Sequence, residues 1–321
     1  MGDVLATQNS KLEIARSPHV HSRWSTKQAM WLVIIALIPS VISSIVFFGF
    51  EQLLIIAVSV GFSIATEAAI KTIRKQQITI DDGSVIITGL LLALILPPNF
   101  SLVSTAIGAI IAVGIGKEVF GGLGFNIFNP ALVGRAFLQA AFPVPMTTWE
   151  KANFSADSIS SATPLSAMKF DNKFEGINNL FVGNIGGSIG ETSAIAILIG
   201  GIFLLVMGVI NYRVSLAMIL SALIFGGIFW LSDSTLYPNP VFHLFAGGFL
   251  FGAIFMATDW VTSPLFGKGM WIYGILISMV VILIRLFGGL PEGVMYSILF
   301  MNAFVPLINK YTKPSIFGEV K

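Results

Sequence analysis

The 321-residue chain contains no cysteine and only three histidines. Without cysteine it can form neither a disulfide nor a thiolate-ligated iron–sulfur cluster. His19 and His21 sit together near the N-terminus and only His243 lies near an apolar stretch, so two intramembrane imidazoles cannot clamp a haem within one copy. Any redox group carried here must be organic. Charge is also scarce: 11% of residues are charged, against roughly 25% in a soluble globular domain. That is too little to cover a water-facing surface. The net charge of +2 is scattered, with no dense basic run, so nucleic acid is not an expected partner.

What the chain has instead is apolar length. It is 55% hydrophobic, and stretches of about 18 or more apolar residues, each able to cross a hydrocarbon core as a helix, recur along it. Ten candidate spans emerge: 30–48, 52–70, 84–98, 102–116, 125–142, 192–210, 214–231, 241–258, 270–287 and 292–308. Pro97-Pro98 ends the third early, and the fifth starts in Gly121-Gly122-Leu123-Gly124. The pattern predicts an all-α integral membrane protein. The first 29 residues hold Lys11, Arg16, Arg23 and Lys27 but no apolar core beside a small-residue cleavage site, and read as a cytoplasmic tail rather than a signal peptide.

Basic residues favour cytoplasmic flanks. With both termini inside, 13 of the 18 lysines and arginines fall in cytoplasmic segments, Lys151, Lys169 and Lys173 fall outside, and Arg135 and Arg285 fall within spans. The predicted plan is a cytoplasmic tail (1–29), a first membrane repeat (30–142), an extracytoplasmic loop (143–190), a second membrane repeat (191–309) and a cytoplasmic C-terminal tail (310–321). A weak internal repeat supports two halves. Lys117-Glu118-Val119-Phe120-Gly121-Gly122-Leu123 resembles Ile284-Arg285-Leu286-Phe287-Gly288-Gly289-Leu290. The copies lie five spans apart, an odd number, so they face opposite sides of the membrane. That is the signature of two inverted five-helix repeats, which usually meet around a site near the midplane.

Few residues can carry chemistry. The long loop contains Asp157-Ser158-Ile159-Ser160-Ser161-Ala162-Thr163-Pro164-Leu165, small and polar, where Pro164 biases Thr163 towards an extended backbone. Its hydroxyls are open to a modifying enzyme, or the stretch is a plain solvated Ser/Thr loop. Asn126 and Asn129 are three apart and would share a helical face if the helix has begun. They either hold a ligand or satisfy backbone freed at the glycine break. Arg135 lies well inside the fifth span, where a guanidinium costs about 2.5–3.5 kcal/mol on insertion scales. A ligand phosphate, a buried carbonyl cluster or a partner protein would satisfy it, or it snorkels outward. Glu67 and Lys71 form an i,i+4 pair read as structural. Asp259 and Glu118 fall near predicted interfaces, and no carboxylate falls clearly at midplane.

Asp157-x-x-Ser160-x-Ala162-Thr163 resembles the flavinylation motif of membrane proteins in which a flavin transferase joins flavin mononucleotide (FMN) to a threonine through a phosphoester, and Gly124-Phe125-Asn126-Ile127-Phe128-Asn129-Pro130-Ala131 resembles the same family's Phe-Asn-Pro-Ala segment. The family comprises RnfD, the D component of the Rnf electron-transport complex, and NqrB, the corresponding component of the sodium-pumping NADH:quinone oxidoreductase. Ser161 and Ser158 stand where glycine is common, both small. The resemblance runs from about residue 20 to residue 309. It implies covalent FMN on Thr163 and a second, noncovalent flavin (riboflavin) near Asn126 and Asn129, with Arg135 as a further candidate for that site. It also implies assembly with the Rnf components A, B, C, E and G in the cell (inner) membrane, and electron relay between ferredoxin and NAD coupled to Na⁺ or H⁺ transport. Ferredoxin and NAD would bind other components, so the chain is one stage of an oxidoreductase and not catalytic alone. The rival reading is a secondary transporter or channel without a redox cofactor, which the inverted halves would equally suit.

Overall fold

The computed structural model describes residues 23–149 and 162–314. Asp157, Ser158, Ser160 and Ser161 of the loop motif, and the tail residues His19 and His21, lie outside them. Among the described residues the chain is helical with no strand. Five helices among the described residues are long and apolar enough to cross a membrane, and the chain is a multi-pass membrane protein.

The first group is α1 (Thr26–Phe48), α2 (Gln52–Ile73), α3 (Ser84–Leu94), α4 (Leu102–Gly114) and α5 (Pro130–Ala141). Three short helices follow, α6 (Pro143–Thr147), α7 (Pro164–Asp171) and α8 (Ile177–Val182), so the stretch expected as a loop carries structure of its own. The second group is α9 (Ala194–Met207), α10 (Tyr212–Ser232), α11 (Pro240–Phe245), α12 (Phe249–Phe251, continued by a π-turn over Gly252–Met256), α13 (Gly267–Phe287) and α14 (Val294–Thr312).

Side chains sort by face in the manner lipid demands. Ile35, Ile38, Ile42 and Val46 point outward from α1 while Ser40 and Ser44 are fully buried. On α2 the buried stripe runs Ser59, Ser63, Glu67, Lys71, one residue per turn. Small hydroxyl-bearing residues let backbones approach and bond across the interface: Ser59 Oγ donates to Gly89 O at 2.7 Å and Ser278 Oγ to Met218 O at 2.7 Å.

Two candidate spans do not cross as unbroken helices. The third ends at Leu94, four residues before Pro98, and the buried carbonyls of Leu94 and Leu96 accept from Gly190 N (2.8 Å) and Ile189 N (3.0 Å). The eighth breaks into α11, the Ala246-Gly247-Gly248 turn and α12. Gly247 holds φ +63° there, a left-handed backbone that glycine adopts without steric cost. The widened turn that follows has Ala257 N bonding Gly252 O, while Ser215 Oγ donates to Ala253 O at 2.7 Å.

Helix ends gather into two sets. Lys27–Asp81, Trp24 Nε1 to Met207 O, Arg74 to Glu118 O, Trp260 Nε1 to Val209 O and Leu265 N to Asn309 Oδ1 join the start of α1 with the ends of α2, α4, α9 and α14. Lys169 to the carbonyls of Ile284, Arg285 and Leu290, and Arg285 to those of His243 and Ala246, join α7 and α11 with the end of α13.

α1 and α9 pack directly on each other, and a Cβ at Gly200 would collide with the Ala36 carbonyl. Gly200→Val should therefore force these helices apart at an overpacking cost of about 1–3 kcal/mol or more. The expected outcome is a lowered apparent melting temperature of the detergent-purified chain. Gly227→Val, facing open space within 4 Å, should leave it unchanged.

Candidate functional site

At the end where α2 and α4 finish, a cavity opens between the two groups of helices. One edge is polar: Ser84 and Thr88 from α3, then Lys117, Asn126 and Asn129 from the connection into α5. The facing wall is apolar, built from Met30, Leu204, Ile254 and Phe255, with Asp259 and Trp260 at its margin.

Asn129 caps α5, because Pro130 at the first helical position lacks an N–H and the next donors need an acceptor. Its Oδ1 accepts from Ala131 N (3.1 Å) and Leu132 N (3.4 Å), and its Nδ2 donates to Met256 O at 3.4 Å. Asn126 Nδ2 donates to Phe128 O at 3.2 Å. The fifth helix starts at Pro130, not 125, so the two amides do not share a helical face. They reach the same cavity because the chain between them turns. Asn129 thus performs the backbone-satisfying role and lines the cavity as well.

Lys117 is 2% exposed. Its Nζ donates to Glu67 Oε2 at 2.6 Å and Ser84 Oγ at 2.7 Å, while Lys71 Nζ reaches Glu67 Oε1 at 2.6 Å and also bonds Thr79. Glu67 and Lys71 are therefore not a simple surface pair. Glu67 is fully buried between two lysines. Glu118, expected near an interface, is also buried, and neither of its carboxylate oxygens has a hydrogen-bond partner.

Arg135 belongs to the opposite end. Its guanidinium is 4% exposed and does not snorkel. Nη1 donates to Glu191 Oε1 at 3.3 Å and Nη2 to Glu292 Oε2 at 2.8 Å. Its partners are carboxylates, and it does not line the cavity of Asn126 and Asn129. Glu292 Oε1 accepts from Gly248 N at 2.9 Å. Sequence reasoning missed both acids, which lie 56 and 157 residues from Arg135. The available signal was their position, each abutting the start of an apolar span.

Thr163 comes to this same end. It is half-buried, extended at φ −66° and ψ 155° as its proline neighbour requires, and is the N-cap of α7 rather than a residue of an open loop. Oγ1 accepts from Ser166 N at 3.1 Å and donates to Ser166 Oγ at 2.9 Å. Beside it lies a cavity walled by Trp149, Gly186, Gly187, Glu191 and Glu292. Lys169, further along α7, has its ammonium pushed below the usual lysine range by burial and caps the carbonyls at the end of α13. Among the described residues no cluster of three acidic or histidine side chains is placed to hold a metal ion.

A family model described as the NQR2, RnfD, RnfE family matches residues 13–318. The chain is 43% identical to the D component of the proton-translocating ferredoxin:NAD(+) oxidoreductase complex of Clostridium ljungdahlii, covering 95% of this chain and 96% of that protein. It is 40% identical to the D component of the Na(+)-translocating ferredoxin:NAD(+) oxidoreductase complex of Acetobacterium woodii, covering 97% and 96%. It is 36% identical to the D component of the ion-translocating oxidoreductase complex of Actinobacillus succinogenes, covering 95% and 98%.

Removing one partner from a buried charge cluster strands the others, at about 3–5 kcal/mol. Arg135→Met should lower the apparent melting temperature of the purified chain far more than Arg135→Lys, and adding Glu292→Gln to Arg135→Met should restore part of the loss. A melting temperature unaffected by Arg135→Met would mean that Glu191 and Glu292 do not need the guanidinium.

Proposed function

The chain belongs to the NQR2, RnfD, RnfE family, and from that premise we propose that it is the flavin-carrying membrane component of an Rnf-type ferredoxin:NAD oxidoreductase. In this reading it relays electrons through covalent FMN on Thr163, coupled within the complex to transport of Na⁺ or H⁺. The Rnf components A, B, C, E and G are its partners, and a flavin transferase attaches the FMN. The ten membrane segments form two inverted five-helix halves, α1–α5 and α9–α14, with α11 and α12 together as one segment. Direct packing of α1 on α9 and of α5 on α14 supports this pairing, since the equivalent members of each half then meet. The end carrying Lys27, Arg74 and Lys117 is cytoplasmic, and Thr163 lies on the extracytoplasmic side.

The observation that carries the reading is the setting of Thr163. It stands at the rim of a cavity that has an indole and a Gly-Gly-Ser stretch on its walls. A flavin bound there supplies a carrier that can take two electrons and pass them singly. The chain's own contribution is tethering and position. Riboflavin suits the opposite cavity, where an amide and hydroxyl edge faces an apolar wall, matching a ring system that is polar along one edge and apolar along the other.

Thr163→Val removes the oxygen a phosphoester needs and also the cap of α7, a loss of about 0.5–2 kcal/mol, more than an open loop would register. The chain should still insert but show no added FMN by intact-mass analysis, while Thr163→Ser keeps both oxygen and cap. FMN mass on the Val chain would move the attachment elsewhere. Wild-type chain without added mass, made in a host holding the transferase, would return the protein to the transporter reading.

The riboflavin site has its own test, because Asn126 caps no helix. Asn126→Leu should lower acid-extractable flavin and leave covalent flavin intact. Undiminished extractable flavin would leave Asn126 as a loop-stabilising amide.

A further inference from the structure

The cavity at the cytoplasmic end contains a charge that tethering and packing do not account for. Glu67 already has one ammonium at 2.6 Å in Lys71, supplied from the next turn of its own helix. Lys117 adds a second, from the segment after α4. Two cations thus converge on one carboxylate. The adjacent Glu118 makes no hydrogen bond to either ammonium. Lys117 stands at the cavity wall, is 2% exposed, and is locked by Glu67 and Ser84. Among the described residues lining the cavity it is the only cation.

An ammonium fixed in this way cannot retreat to water when the cavity fills. Its neighbours along the polar edge, Ser84, Thr88, Asn126 and Asn129, are neutral. A ligand that places its polar edge against them therefore meets one fixed positive charge, and in a low-dielectric interior such a charge discriminates strongly between neutral and anionic forms of the same molecule. Oxidised flavin is neutral. Addition of two electrons and one proton, the proton going to N5, leaves a negative charge shared between N1 and the C2 carbonyl.

Resting on the proposal that this cavity holds the noncovalent flavin, we propose that Lys117 is the positioning residue that draws the pyrimidine edge of that flavin to its own ammonium beside Ser84 and selects for its reduced, anionic form. Asn126 and Asn129 orient the ring whichever way it is charged, whereas Lys117 distinguishes its redox states.

The test uses the full chain made in a host lacking the flavin transferase, so that no covalent flavin interferes. Riboflavin is the probe and dithionite the reductant. Wild type should bind oxidised riboflavin, and its bound midpoint should lie above that of Lys117→Met. The expected difference is a tenfold or greater loss of preference for the reduced form, which for a two-electron couple is a fall of about 30 mV. The dissociation constant of oxidised riboflavin should change much less. Lys117→Gln, which can still donate to Ser84 and Glu67, should fall with Lys117→Met, and Lys117→Arg should stay with wild type. This arrangement covers the case in which Lys117→Met fails to fold, because the glutamine variant then carries the comparison. Bound riboflavin with the same midpoint in wild type and in the uncharged variants would overturn the role of Lys117 and leave the flavin site standing. Wild-type chain that binds no riboflavin would overturn the site itself.

Discussion

Hydrocarbon offers no hydrogen bonds, so each backbone amide and carbonyl at membrane depth must find its partner within the protein. Where helices are whole, this is automatic. Where they stop short, the rest of the chain has to supply partners, and those places organise the fold. α3 stops at Leu94, and its freed carbonyls are met by Ile189 and Gly190 from the connection that precedes α9. That pairing brings Glu191 into the interior, where it meets Arg135. In the second group, the carbonyls of Ala253 and Met256 are met by Ser215 and Asn129. The latter contact joins the start of α5 to the broken segment and closes one side of the larger cavity.

Charge follows the same rule. Lysine, arginine and glutamate are costly away from water unless paired and hydrogen-bonded, and this chain has few of them. Apart from Glu118, the glutamates and lysines it buries are concentrated in clusters: Glu67 with Lys71 and Lys117 at one end, Arg135 with Glu191 and Glu292 at the other. Arg285 is satisfied differently, by the carbonyls of His243 and Ala246 at the end of α11. Buried ion pairs are weak evidence for stability as such. Here their value lies in location, because each cluster borders a cavity.

Apolar length, the proline pair after α3 and the glycines before α5 were readable from the chain, and they correctly mark a helical membrane protein with a short third helix. The motif residues were readable too, and the structure brings Asn126 and Asn129 to one cavity and sets Thr163 beside another. What the sequence hid was pairing at a distance. Nothing local tells that Glu191 and Glu292 will meet at Arg135, or that Lys117 will turn inward to share Glu67 with Lys71. The positive-inside tally treats Lys117 as a flanking charge because it follows an apolar run. Only the packing of α2 against α4 reveals that its ammonium is buried against Glu67 and Ser84. The widened turn of the eighth span was similarly concealed, since Phe249 to Met256 reads as an unbroken apolar run whichever way its backbone is wound.

That broken segment also ties the two cavities together. At its start, Gly248 N donates to Glu292, which walls the cavity beside Thr163. At its other end, Met256 O accepts from Asn129, which lines the cavity beside Lys117. The helical rise between these two contacts is about 12 Å along the axis. Both contacts use main-chain atoms of the segment, so neither can be adjusted there by a rotamer change. A displacement of the segment along its axis must therefore alter both ends together, loosening the Glu292 contact as it presses on Asn129, or the reverse. The segment therefore links the two cavities through its own main chain.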